Sequence, residues 1–179
     1  MKDLFFGKRV LIIGGGQDID DRGIGEKIDA GELADVVVRV NKSYGMPKDS
    51  GTRTDAIFTR WRAWLAPGVG WFDQVQIDSA KVRIFVNEED AVRKAAEFAR
   101  REVGVANISC GCLAVWFALN CGAESVSVIG FGWNGVNFVD KKIYGRNART
   151  YQPGTVDYAA YEWKKEQEWL SSQKLVILL

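Results

Sequence analysis

The chain contains no histidine. That absence removes the Ser-His-Asp triad, the Cys-His pair, the His-ligated zinc site and the histidine proton shuttle in one step. Any acid–base chemistry falls to Asp, Glu, Tyr, Lys or Cys. Cysteine is scarce, and its three residues, Cys110, Cys112 and Cys121, crowd into one segment. An extracellular chain of this size more often carries an even, dispersed set, so a reducing, cytoplasmic location is expected. Without histidine, three thiols need a carboxylate to complete a zinc site. No metal is therefore expected, and the cysteines read as small apolar residues of a buried helix. Net charge is almost absent, with 24 Lys and Arg against 23 Asp and Glu. That balance argues against a polybasic nucleic-acid binder and leaves room only for a local patch. No apolar run approaches the roughly 18 residues of a membrane span. The opening residues Met1 to Arg9 lack a signal peptide's apolar core, so no membrane association is expected.

What is present is one domain's worth of chain. The 179 residues are 47% hydrophobic and 26% charged, ordinary for a globular protein with a sizeable core. Val10-Leu-Ile-Ile13 runs into Gly14-Gly-Gly16, the pattern of a buried parallel strand stopped by glycine. Segments 35–40, 55–58, 82–86, 126–129 and 175–179 read as further strands. Between them, 88–101 carries a helical stripe of Val92, Ala95, Ala96, Phe98 and Ala99 behind a potential cap at Asn87. A second helix spans 109–120 behind Ser109, and an amphipathic one covers 158–170. Residues 133–154 are polar, lack a period and read as a long functional loop. Strands alternating with helices predict an α/β, Rossmann-like fold, with a mostly parallel sheet flanked by helices and residues 1–179 forming one domain. Ligands of such sheets bind beyond the carboxyl ends of the strands. Those ends are marked here by Gly14 to Gly16, Asn41, Thr59-Arg60, Asn87 and Gly130 to Gly132.

Several local patterns are weaker than they look. The loop from Gly14 to Gly25 can cradle a phosphate with its amides. It is not the dinucleotide fingerprint, which would place glycine at Ile19, and it lacks the P-loop lysine. Asp18-Ile-Asp20 has the spacing of a metal-holding acid pair, yet solvated loop charge explains it as well. Arg60-Trp-Arg-Ala-Trp64, with Trp71 and Phe72, can stack on sugars or bases, or simply pack.

Taken together and in order, these segments resemble the sialyltransferase family, glycosyltransferase family 29. The family's large motif is matched by Ile13-Gly14, Gly25-Glu-Lys-Ile28-Asp29, Arg39-Val-Asn41 and Gly51-Thr-Arg-Thr54. Its small motif looks like Ser109-Cys-Gly111, Cys121 to Val126 and Ile129-Gly-Phe131. Its closing His-x-x-x-x-Glu has its spacing reproduced by Asp157 and Glu162. The departures are specific. Gly15 and Gly16 stand at the family's first asparagine and its serine, and Asp18 at the second asparagine. Val10 occupies the position of Cys121's usual disulfide partner, so that disulfide cannot form, and Asp157 replaces the catalytic histidine.

The resemblance implies a metal-independent, inverting transfer of a sugar from a nucleotide-sugar donor to an acceptor hydroxyl. A CMP-sugar is favoured as donor, and no further cofactor is needed. Gly14, Gly15, Gly16, Gln17, Asp18, Asn41, Ser109, Cys110, Gly111, Gly130 and Phe131 would bind the donor. Arg60, Trp61, Tyr151, Gln152 and Glu162 are candidates for phosphate or acceptor contacts. Asp157 would be the base, although an acid in the first turn of a helix is also favoured by the helix dipole alone. An ordinary aspartate is weakly basic, so burial would have to raise its pKa. The acceptor is open between a saccharide, a small molecule and a modified nucleobase. Two other readings stand beside the enzyme: a non-catalytic nucleotide or nucleotide-sugar binding module, and a dinucleotide-dependent enzyme built on the glycine loop.

Overall fold

The computed structural model describes residues 2–16, 19, 22–41, 47–60, 82–86, 89–131 and 162–179. Six strands form one parallel sheet: β1 (Arg9–Ile13), β2 (Val36–Val40), β3 (Ala56–Thr59), β4 (Arg83–Val86), β5 (Ser125–Ile129) and β6 (Val176–Leu178). Their order is β4-β3-β2-β1-β5-β6, with every neighbour pair parallel. The unbroken Val/Ile/Leu runs form the central strands because both faces of a helix-covered sheet must be apolar. All five residues of β2 are buried.

Two cores result. On one face Val10, Ile12, Val38, Val40, Phe58, Phe85 and Val128 meet the helices α4 (Asp90–Val103), α5 (Cys110–Asn120) and α6 (Trp163–Ser172). There Phe58 stacks on Phe85 with centroids 4.5 Å apart, and Phe117 of α5 meets Phe58 edge-on at 5.5 Å. On the other face Leu11, Ile13, Val37 and Ile129 pack with Ile28 of α2 (Gly25–Asp29). α5 contacts β1, β2, β3 and β5. That central seat explains why its sequence is apolar on every side rather than striped. Cys110 and Cys112 are buried in it as expected, and all three cysteines are free thiols. Burial pushes the Cys112 thiol well above its ordinary pKa, which makes it unreactive.

The strands lie where the apolar runs predicted them, to within a residue or two at each end. The helix expected over 88–101 is α4, displaced toward its carboxyl end. Its buried stripe is Val92, Ala99 and Val103. Phe98, assigned to the core from sequence, is instead 61% exposed, because it lies about 100° around the helix from Ala99. The cap expected at Asn87 and residues 158–161 of the last helix fall outside the described residues. Two short helices, α1 (Lys2–Phe5) and α3 (Pro47–Ser50), carried no periodic signal.

Arg39 is the exception in the Val-rich β2 and is completely buried. Its guanidinium donates to the carbonyls of Ser50 and Gly51 at 2.9 Å each, to that of Arg53 at 3.2 Å, and to the Thr54 hydroxyl at 2.9 Å. From the other side, the Asp29 carboxylate accepts from the Thr52 and Arg53 amides, each at 2.7 Å. The Gly51-Thr-Arg-Thr54 segment is thus clamped between a strand cation and a helix anion. Replacing Arg39 with Met should cost roughly 3 kcal/mol or more, because several buried carbonyls lose their donors at once. Lys should recover only part of that, having no planar fork. An exposed control, Arg93→Ala, should change stability by less than about 0.5 kcal/mol in urea unfolding.

Candidate functional site

The chain runs outward from β1 through β2 and β3 to β4, then returns to place β5 on the opposite side of β1. The strand order therefore reverses between β1 and β5, which opens a crevice at their carboxyl ends. Two glycine segments line it. The Gly14 amide donates to the Ile129 carbonyl at 2.8 Å, and the Gly16 amide to the Gly130 carbonyl at 2.5 Å. A Cβ on Gly130 would lie 2.6 Å from the Gly14 carbonyl oxygen, and Gly130 has φ +74°. One on Gly14 would overlap the Gly130 carbonyl. The two backbones touch because neither residue carries a side chain.

Phe131 closes this junction. A Cβ on Gly111 would stand 2.9 Å from its ring, and one on Gly14 would stand 3.0 Å from it. The ring is thus wedged between the end of β1 and the first turn of α5. Gly14, Gly16, Gly111, Gly130 and Phe131, taken from three segments of sequence, meet at one place. One strand along, Asn41 ends β2 in a left-handed conformation, φ +50°. Its amide donates to the Phe58 carbonyl at 2.6 Å, and its side-chain oxygen accepts from the Arg60 amide at 3.0 Å. Asn41 therefore braces the β2 and β3 ends beside the crevice, with Arg60 exposed beyond it.

The amino end of α5 also reaches this edge. Ser109 is its N-cap, with its hydroxyl accepting from the Cys112 amide at 3.1 Å. The cap is in turn gripped by Glu166 of α6. The two carboxylate oxygens accept from the Ser109 amide and the Ser109 hydroxyl, each at 2.6 Å. Burial pushes the Glu166 carboxyl up to about 7, against the lowering effect of those two hydrogen bonds. Glu162 is differently placed. Its carboxylate accepts from the Ala106 amide at 2.8 Å and pairs with Lys165 at 2.5 Å. Lys165, and then that amide, hold its carboxyl below the usual range.

Gln17, Asp18, Trp61, Tyr151, Gln152 and Asp157 lie outside the described residues. Among the described residues no group of three acids or cysteines is arranged to hold a metal ion. No described helix is long and apolar enough to cross a membrane. An open groove of about 410 Å³ lies along Glu97, Arg100, Arg101 and Val105. It sits at the carboxyl end of α4.

No protein-family model matches the chain, and no curated protein matches its sequence. Among solved structures, it is similar to the crystal structure of a mammalian sialyltransferase in complex with Gal-β1-3GalNAc-ortho-nitrophenol. The TM-score is 0.58 and the identity 20%, over 99% of this chain and 71% of the other. The fold is sialyltransferase-like. A likeness at that identity is one of fold, and the fold accounts for the motif residues in a particular way. Asp29, Arg39 and Gly51 to Thr54, which matched the large motif, form the clamp behind the edge. Of the large-motif segment, Gly14 to Gly16 and Asn41 stand at the edge itself, where Gly111, Gly130 and Phe131 of the small-motif segment join them.

Reading the sequence alone missed Glu166, although a signal exists. It lies between Trp163 and Leu170 on one helical face, an acid inside an apolar stripe. Arg39 is the same kind of signal within a strand, and it was noticed only as part of a motif.

The glycine contact is open to a direct test. Gly130→Ala combines a left-handed backbone with a collision against backbone and should cost more than about 2 kcal/mol. Gly104 has a similar φ of +77° with open space around it. Gly104→Ala should cost about 1 kcal/mol, so thermal denaturation of the two variants separates strain from contact.

Proposed function

We propose that the chain is a glycosyltransferase that moves a sugar from a cytidine-type nucleotide-sugar donor to an acceptor hydroxyl, without a metal and with inversion. The observation that carries this reading is the meeting of Gly14, Gly16, Gly111, Gly130 and Phe131 at the strand-order reversal. Backbone bare of side chains, beside the amino end of an eleven-residue helix, suits the phosphate of a nucleotide. The sialyltransferase-like fold and the order of the motif segments support the same reading. In this scheme Asn41 borders the donor, and Cys110 and Gly111 offer amides to its phosphate. Ser109 contributes less directly, because Glu166 holds its amide and hydroxyl. The acceptor is a saccharide, a small molecule or a modified nucleobase.

Asp157 takes the proton of the acceptor hydroxyl in this scheme. The freed oxygen attacks the anomeric carbon from the face opposite the leaving group. The bond to the nucleotide phosphate breaks with its electron pair on the phosphate, where the helix amides spread the charge. The missing histidine favours a second reading, a module that binds the nucleotide without turnover.

A ligand panel separates the readings. CMP at a hundred times its dissociation constant should add about 2.7 kcal/mol to stability, read as a thermal shift, while NAD adds nothing. Asp157→Asn should keep that shift and lose transfer by a factor of about 10² to 10⁴. Full activity in the variant removes Asp157 from the role. Turnover of any activated sugar refutes the binding module, and the absence of a shift with every nucleotide removes the donor.

A further inference from the structure

Three side chains from the start of α6 fasten the connection between α4 and α5. Lys165 donates to the Gly104 carbonyl at 3.3 Å, Glu162 accepts from the Ala106 amide, and Glu166 grips Ser109 through both carboxylate oxygens. Residues 104–109 lead directly into the first turn of α5, so these contacts hold the start of that helix. Glu166 is the innermost of the three, only 2% exposed. Its partner Ser109 lies two residues before Gly111, whose missing side chain leaves room for the Phe131 ring.

We propose that Glu166 is a positioning residue, a proton-dependent latch between α6 and the cap of α5 that sets the wall of the crevice. Burial makes its charge costly, and the groups facing it among the described residues act in both directions. The Ser109 amide and hydroxyl at the cap of α5 favour the charge by donating to it, and the buried Cys112 thiol lies beyond them. Glu162 lies on the same helix and repels it, with Lys165 paired to Glu162. Glu102 of α4 acts on the same thiol. The carboxyl sits above its ordinary value of 4.5, at about 7. The folded state therefore holds a proton that the unfolded chain releases. Stability falls as pH rises from about 4.5 through about 7 and is level above that. The latch is firm when neutral and strained when ionised, because opening it then hydrates a charge.

The first arm of the test is the melting temperature from about pH 5 to pH 8 for the native chain, Glu166→Gln and Ser109→Ala. Glutamine keeps an acceptor for the Ser109 amide and cannot ionise, so its profile should be flatter. Ser109→Ala removes a donor that stabilises the carboxylate, so its pH dependence should extend to higher pH. Parallel profiles for the native chain and Glu166→Gln overturn the latch.

The second arm rests on the proposed function and uses CMP. A phosphate near an ionised Glu166 is repelled, so the ratio of CMP dissociation constants, native over Glu166→Gln, should rise about tenfold from pH 6 to pH 8. The phosphate's second ionisation over the same range strengthens that repulsion in the native chain alone, so it moves the ratio in the same direction. A constant ratio overturns the latch's influence on the crevice. Failure of CMP to bind either protein, with the melting profiles still diverging, upholds the latch and counts against the nucleotide reading.

Discussion

A guanidinium held inside a parallel sheet organises this molecule. Arg39 stands where the flanking strand residues are valine, and a buried cation is tolerable only if its donors are met. They are met by the carbonyls of Ser50, Gly51 and Arg53 and the Thr54 hydroxyl. The connection leading into β3 must therefore fold back over β2. Asp29 completes the arrangement by capping the same segment from α2. A strand, a short helix and a loop that have little apolar surface in common are joined by directional bonds. Two residues beyond Arg39, Asn41 inherits a fixed place at the carboxyl edge.

The crevice depends on a different economy of atoms. At the β1–β5 reversal, Gly14 and Gly130 approach so closely that main chain substitutes for side chain. Phe131 then fills the angle against Gly111, tying the end of β5 to the first turn of α5. An apolar ring supports this wall, leaving the local amides as its polar elements. The site's character thus comes from what three glycines omit as much as from any functional group.

Beside that wall, the amino end of α5 is held by Glu166, a carboxylate removed from water. Two short hydrogen bonds offset part of its desolvation, and the remainder appears as an acid that is half ionised near neutral pH. A chain with no histidine therefore still has a group that changes charge in the physiological range. Burial supplies here what an imidazole would supply by its ordinary pKa.

The amino-acid pattern alone determined the parallel sheet, because continuous Val/Ile runs ended by glycine leave little choice of structure. It also located the cap at Ser109 and, among the described residues, the glycine segments that meet at the β1–β5 reversal. It misplaced Phe98, since an apolar residue one step off a helical stripe looks the same in a list as one on it. Tertiary structure decided which motif residues face a ligand and which hold the frame. Arg39 and Asp29 entered the sequence reading only as parts of a motif, and in the fold they are structural. Glu166 carried no reading of its own in the sequence and is buried against the α5 cap. Charge in a sequence shows only that a group must be solvated or paired. The fold chooses the partner, and with it whether the group supports the site or acts in it.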